Sequence, residues 1–286
     1  MDRRQPIARE QEIAKALAQL GRVSNTLLIP LVARATGGRI FPRFHPHDAY
    51  AQQWLEALHT QVRSFAGDWA TVLNILWRTW LIKQLGESFF QCHPRAWGIN
   101  LGAGLSHYFQ WLDNQQNRWV DLDLAPVVQL RKAIFGRTRE RHSQRVFNIK
   151  QANWWTACAL PPRQHPQPVF LICEGVSMYL RPQQMRAVLQ HIGQHAPSGS
   201  ELVMDYISDI GIGKAYLHPS VADTGSEFRW GCNHIQDMCS AHPRLHLAQD
   251  HSVSEAYGAG VYWMEKVLEP WWGGPMYGLA RFVVQD

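Results

Sequence analysis

The sequence predicts an α/β fold: a seven-stranded, mostly parallel sheet with helices on both faces, an N-terminal helical cap and a lid insertion. Three observations predict it. The first ninety residues carry apolar residues at helical spacing with no strand signal. From Ala96 onward, short apolar runs alternate with helical stretches, the texture of right-handed βαβ units. The first of those runs ends in Gly102-Ala103-Gly104, where an open α/β sheet receives its ligand.

Taken in order, Ile7 to Leu20 is amphipathic, and Ser24 or Asn25 caps a second helix through Ala35 that Thr36-Gly37-Gly38 stops. Asp48 caps a third from Ala49 to about Ser64. Trp69, Val72, Leu73, Leu76, Trp80, Leu81 and Leu85 then recur at helical spacing, with Gly86 ending the run. Strands are expected at 97–101, 118–122, 145–149, 168–173, 201–205, 245–250 and 278–284. The expected division is a cap over 1–90 and a core over 91–286, with the lid at 207–245.

Composition narrows the function. The 286 residues are 46% hydrophobic and 18% charged, which fits a folded globular chain rather than a disordered one. The net charge of +5 comes from scattered basic residues; the densest group, Arg137, Arg139, Arg141 and Arg145, is interrupted by Glu140, so no nucleic-acid stripe forms. The apolar run Leu27 to Ala33 is far short of the roughly 20 residues that span a bilayer, so no membrane partner is expected. Five widely spaced cysteines, and a charged opening segment without the apolar centre of a signal peptide, make a reduced cytoplasmic protein the expectation. Thirteen tryptophans suit a pocket for a flat, aromatic or apolar small molecule. Trp263, Trp271 and Trp272 near the end are read as core or as a homodimer contact. Cys232, His234, Cys239, His242 and His246 lack a paired knuckle, so no metal is expected.

A dinucleotide fingerprint needs a third glycine at position 107, which is His107. The glycines therefore admit something other than a pyrophosphate, or simply make a tight corner. Asp121 and Asp123 close the next strand, and a carboxylate there accepts both hydroxyls of a ribose, unless it caps the helix that Pro126 starts. A glycine turn with an acidic strand end suits a nucleoside without phosphates, such as S-adenosylmethionine. Glu174 follows the apolar run FLIC, so its buried carboxylate needs partners or a cationic ligand.

The segments LGAGL at 101–105, WVDLDLAPVV at 119–128 and CEGVSMYL at 173–180 together resemble the leucine carboxyl methyltransferase family. VSNTLLIPLVARA at 23–35 and LWRTWLIKQL at 76–85 are similar to its bacterial polyketide O-methyltransferase branch. The resemblance implies a Rossmann-like core, S-adenosylmethionine as cofactor and O-methylation of a small-molecule carboxylate or hydroxyl in secondary metabolism. It implies that Arg78 holds the cofactor carboxylate, assisted by Arg34, and that Gly102, Ala103 and Gly104 let the backbone approach it. Asp123, or Asp121, would bind the ribose; Glu174 would lie near the amino group; Tyr179 would pack on the substrate side.

Two departures stand out. Ser106-His107-Tyr108 replaces the family's Asp-Thr-Arg, and Asn148, Gln151 and Asn153 lie where an aspartate commonly meets adenine. A carboxylate acceptor needs no general base, whereas a hydroxyl benefits from one; the catalytic candidates are His107, His234 and Tyr206. The rival readings are a non-catalytic relative that binds the cofactor or a metabolite, and a nicotinamide-dependent oxidoreductase.

Overall fold

The computed structural model describes residues 13, 15–17, 20, 23–58, 68–135, 140–149, 151–222 and 225–286. Its strands are β1 (Trp97–Leu101), β2 (Arg118–Asp123), β3 (His142–Val146), β4 (Val169–Cys173), β5 (Glu201–Ile207), β6 (Leu245–Ser252) and β7 (Tyr277–Val284). They form one sheet in the order β3-β2-β1-β4-β5-β7-β6. The first five are parallel; β7 runs antiparallel between β5 and β6. Order reverses between β1 and β4, so a crevice opens beyond the carboxyl ends of those strands, at Leu101 and Cys173.

The helices are α1 (Val23–Thr36), α2 (Ala49–Ala57), α3 (Trp69–Cys92), α4 (Phe109–Leu112), α5 (Ala125–Phe135), α6 (Trp154–Ala157), α7 (Pro182–His195), α8 (Pro219–Ala222), α9 (Ser254–Tyr257) and α10 (Ala259–Trp272). β4, VFLIC, is buried along its whole length, as a central parallel strand covered on both faces must be. Its alternate residues feed two cores. Val169, Leu171 and Cys173 pack with Met185, Leu189 and Ile192 of α7, while Phe170 and Ile172 pack with Leu76, Phe89 and Phe90 of α3. A third core joins the N-terminal helices to Val127, Leu130 and Ile134 of α5.

Asp48 and Asp68 cap α2 and α3 by accepting from the Ala51 and Thr71 amides. The expected first helix lies largely outside the described residues, though Ile13, Ala16 and Leu20 are buried. The expected extension of α2 beyond Leu58 also lies outside them. Two boundaries differ from expectation. α3 does not stop at Gly86 but runs on to Cys92. A Cβ at Gly86 would fall 2.7 Å from Leu112 and 3.2 Å from Phe170, so the glycine serves close packing. β3 occupies 142–146, not 145–149, because this outermost strand is only half covered and needs no apolar run. Among the described residues, no helix is long and apolar enough to cross a membrane.

β1 and β2 meet at one point of extreme closeness. A Cβ at Gly98 would lie 2.0 Å from Cε3 of the buried Trp119 ring, and that ring is anchored by its Nε1–H to Asp121 at 2.9 Å. Gly98→Ala is therefore expected to overpack the sheet and cost about 1–3 kcal/mol, measured as a fall in the urea unfolding midpoint with the slope unchanged.

Candidate active site

A cavity of about 590 Å³ occupies the crevice beyond β1 and β4. It is lined by the glycine turn with Asp123, Asn148 and Glu174, by Met178 and Tyr179 after β4, by Leu27 of α1, by Ile75 and Arg78 of α3, and by Phe228 of the 207–245 segment.

The turn is built by left-handed backbone. Gly102 and Gly104 have φ of 69° and 50°, conformations that glycine adopts without strain. A Cβ at Gly102 would meet Val176 Cγ2 at 2.4 Å. Gly102 and Ala103 donate to the Leu122 carbonyl, and Gly104 donates to Asp123 Oδ2 at 2.7 Å. Asp123 Oδ1 accepts from Leu124 at 2.7 Å. Burial raises this carboxyl above its usual range against those two backbone bonds. Asp123 thus faces the cavity with acceptor capacity left on both oxygens.

Asp121, two residues earlier, does not line the cavity. It lies behind the turn, accepting from Trp119 Nε1, from His142 Nε2 at 2.6 Å and from Arg131. Burial would raise its carboxyl, but Arg131 and His142 overcome that and hold it well below the carboxylate range. Arg131 also donates to the carbonyls of Gly104 and Ser106, at 2.7 Å each, and so clamps the turn from α5. His107 joins this group rather than the cavity. Its ring packs edge-on against Tyr50 at 4.4 Å and beside His142 at 5.1 Å, and burial pushes its imidazole down to about 3. His107, Asp121 and His142 are the one trio of potential metal ligands gathered among the described residues, and there the Arg131 guanidinium already supplies the cation for Asp121. Cys232, His234, Cys239, His242 and His246 do not converge.

Arg78 is the centre of a second polar network at the cavity. From the buried helix α3, its Nε donates to Glu174 Oε1 at 2.6 Å, and its Nη1 donates to Asp205 Oδ2 at 3.0 Å and to the Tyr277 hydroxyl at 2.8 Å. Tyr277 donates onward to Asp205 at 2.7 Å, which also accepts from the Gly175 amide. Tyr108 donates to the second oxygen of Glu174 at 2.8 Å. Burial opposes charge on Arg78, but Tyr277, Glu174 and Asp205 hold it firmly protonated. Arg78 lines the cavity, and its Nη2 is 3.4 Å from where a Gly175 Cβ would sit. Two carboxyl groups share one guanidinium; burial raises that of Asp205 against the pull of Arg78 and Tyr277, and Glu174 is the one that lines the cavity.

Of the expected residues, Arg34, Arg78, Gly102, Ala103, Gly104, Asp123, Asn148, Glu174 and Tyr179 line the cavity, while Gln151 and Asn153 do not. Arg34 is held by Asp48 at 2.9 Å and by the Leu105 carbonyl at 2.8 Å. The three residues expected to act in catalysis all lie off the cavity. His107 is walled in behind the turn. Tyr206 points to the far side of β5 and donates to Asp250 at 2.7 Å. His234 lies beside Gly273, at the end of α10. In the 207–245 segment Phe228 lines the cavity, whereas Trp230 is buried in the sheet core and Tyr216 is exposed. Three contributors went unread in the sequence: Arg131, Tyr277 and Asp205. Asp205 carried a signal, since it follows the apolar run LVM as Glu174 follows FLIC. His218 of the 207–245 segment also lines the cavity.

Residues 30–193 match the leucine carboxyl methyltransferase family. The chain belongs to that family. S-adenosylmethionine is therefore its cofactor. Among curated proteins, the chain is 25% identical over 244 residues to the tetracenomycin polyketide synthesis O-methyltransferase TcmP of Streptomyces glaucescens, covering 83% of this chain and 86% of that one. Among solved structures, a putative methyltransferase of Thermobifida fusca matches with a TM-score of 0.52 at 12% identity, over 82% of this chain and 89% of that one. An O-methyltransferase family protein of Burkholderia thailandensis matches with a TM-score of 0.48 at 14% identity, over 79% of this chain and 63% of that one. The likeness to the Thermobifida structure shows the fold.

The network behind the turn has a measurable signature. His107 is depressed from 6.5 to about 3 on folding, so between those pH values the unfolded chain binds a proton that the folded chain refuses. Stability is full above pH 6.5 and falls as the pH drops toward 3, by up to ~1.4 kcal/mol per unit. His107→Gln is expected to remove that share of the slope in urea unfolding measured at pH 7.5, 6 and 5.

Proposed function

We propose that this protein transfers a methyl group from S-adenosylmethionine to an oxygen of a small aromatic or apolar acceptor. The observation that carries this reading is the meeting of two chemistries in one cavity. Asp123, Asn148, Glu174 and Arg78 line it together with the apolar side chains of Leu27, Ile29, Ile75 and Phe228.

The polar lining fits the cofactor group by group. Asp123 accepts from the ribose hydroxyls, and Gly102 and Gly104 leave room where side chains would block approach. Arg78 Nη2 takes the carboxylate, as a guanidinium suits, and Glu174 with Asp205 favours the ammonium. The Asn148 side-chain oxygen suits the adenine amino group. When bound, the cofactor supplies an electrophilic methyl on a sulfonium. The remaining task is alignment of the acceptor oxygen and exclusion of water, which residues 1–90 as cap and 207–245 as lid perform in this reading. Tyr179, whose phenol burial pushes up to about 12, stays a hydrogen-bond donor beside the acceptor. The likeness to the tetracenomycin enzyme supports a polyketide-like acceptor, taken up as a carboxylate or as a hydroxyl.

Calorimetry tests the cofactor site. Binding of S-adenosylmethionine is expected to weaken at least tenfold (about 1.4 kcal/mol) in Asp123→Ala and in Arg78→Ala, and absence of binding to the wild type at millimolar cofactor would overturn the assignment. Affinity is also expected to fall at acid pH, because protonation of Asp123 removes an acceptor. Its raised carboxyl sets that fall above the usual aspartate range, and Asp123→Asn should abolish the pH dependence.

A further inference from the structure

Helix α10 is amphipathic the wrong way round. A surface helix normally turns its apolar stripe to the core and its charges to water. In α10, Glu265 is buried and accepts from Ser252, from Ser254 at 2.5 Å and from the Met276 amide at 3.3 Å. The other two charges, Lys266 and Glu269, pair with each other at 2.7 Å. The large apolar side chains face outward: Val261 is 38% exposed, Trp263 65%, Met264 58%, Val267 65% and Trp271 76%. At 100° per residue these five fall within an arc of about 160° that contains no charged residue.

We infer that α10 is the contact surface of a homodimer, packing against α10 of a second copy across a two-fold axis. Gly260, Met264, Val267 and Trp271 follow the 4-3-4 spacing of a helix seam, flanked by Val261 and Trp263. A single uncharged, self-complementary face is what an isologous contact requires. With large side chains contributing on the order of 150–250 Å² each, the five expose roughly 600 Å². Tyr257 and Met276, 43% and 48% exposed at either end of α10, extend the apolar surface toward the ~800 Å² that each partner of a standard interface buries. A lipid surface fits less well, because helices that lie on membranes carry lysine and arginine around the apolar face, and the only cation of α10 is already paired.

Sedimentation equilibrium of the full chain tests this. The wild type is expected at twice the monomer mass at 10 μM, and Val267→Glu is expected to weaken self-association at least ~100-fold with S-adenosylmethionine binding and the far-ultraviolet circular dichroism retained. Met264→Cys, near the middle of the seam, is expected to give an oxidised, disulfide-linked dimer that the wild type does not form, which decides the matter should Val267→Glu fail to fold. A wild type that stays monomeric at 100 μM, a dimer that survives Val267→Glu, or a cysteine variant that does not cross-link would overturn the proposal. So would a monomer that cosediments with phosphatidylcholine vesicles, which would assign the face to lipid.

Discussion

One buried guanidinium organises the site. Arg78 leaves α3 in the middle of the molecule and meets oxygens from three other segments: Glu174 after β4, Asp205 on β5 and Tyr277 on β7. None of these groups tolerates isolation there, since an unpaired buried charge costs about 3–5 kcal/mol. The strand ends, the helix and the antiparallel insertion are thus held to one another by mutual need. That constraint also gives the cavity polar lining, because Arg78, Glu174 and Tyr277 are fixed at its surface while Asp205 is buried behind them.

A second charged group does the same work behind the glycine turn. Arg131 reaches from α5 to two carbonyls of the turn and to Asp121, while His142 closes the other side of that carboxylate. The turn is thus held without an acid and a base of its own just after the glycines, where Ser106, His107 and Tyr108 stand. The clamp comes from a helix 25 residues downstream of Ser106. Ser106 and Tyr108 take local roles instead: the serine hydroxyl donates to the Ala103 carbonyl, and the tyrosine steadies Glu174. His107 pays for neither with charge; it fills the space between Tyr50 and His142 as a neutral ring.

Much of this was legible in the sequence, for reasons that also mark where reading stops. Central parallel strands are apolar runs, so β1, β4 and β5 announced themselves, whereas the polar outer strand β3 was displaced by three residues. Gly86 looks locally like a helix end; only the approach of Leu112 and Phe170 shows otherwise. Residues at strand ends, Asp123 and Glu174, line the cavity as strand geometry requires. His107 misled because neighbours in sequence are not neighbours across a turn, and its direction depends on α2 and β3. Tyr206 and His234 had no positional rule behind them. Tyr277 was unreadable for a different reason: nothing local reveals that the last strand slips between β5 and β6.

That late strand has a consequence for synthesis. Arg78 and Tyr277 are 199 positions apart, and β7 also completes the pairing of β5 and β6. Until β7 leaves the ribosome, a nascent chain holds Arg78 and Asp205 without the phenol that joins them. Chains broken off before Tyr277 leave that network open, so the burial of Arg78 is completed only once β7 has been made.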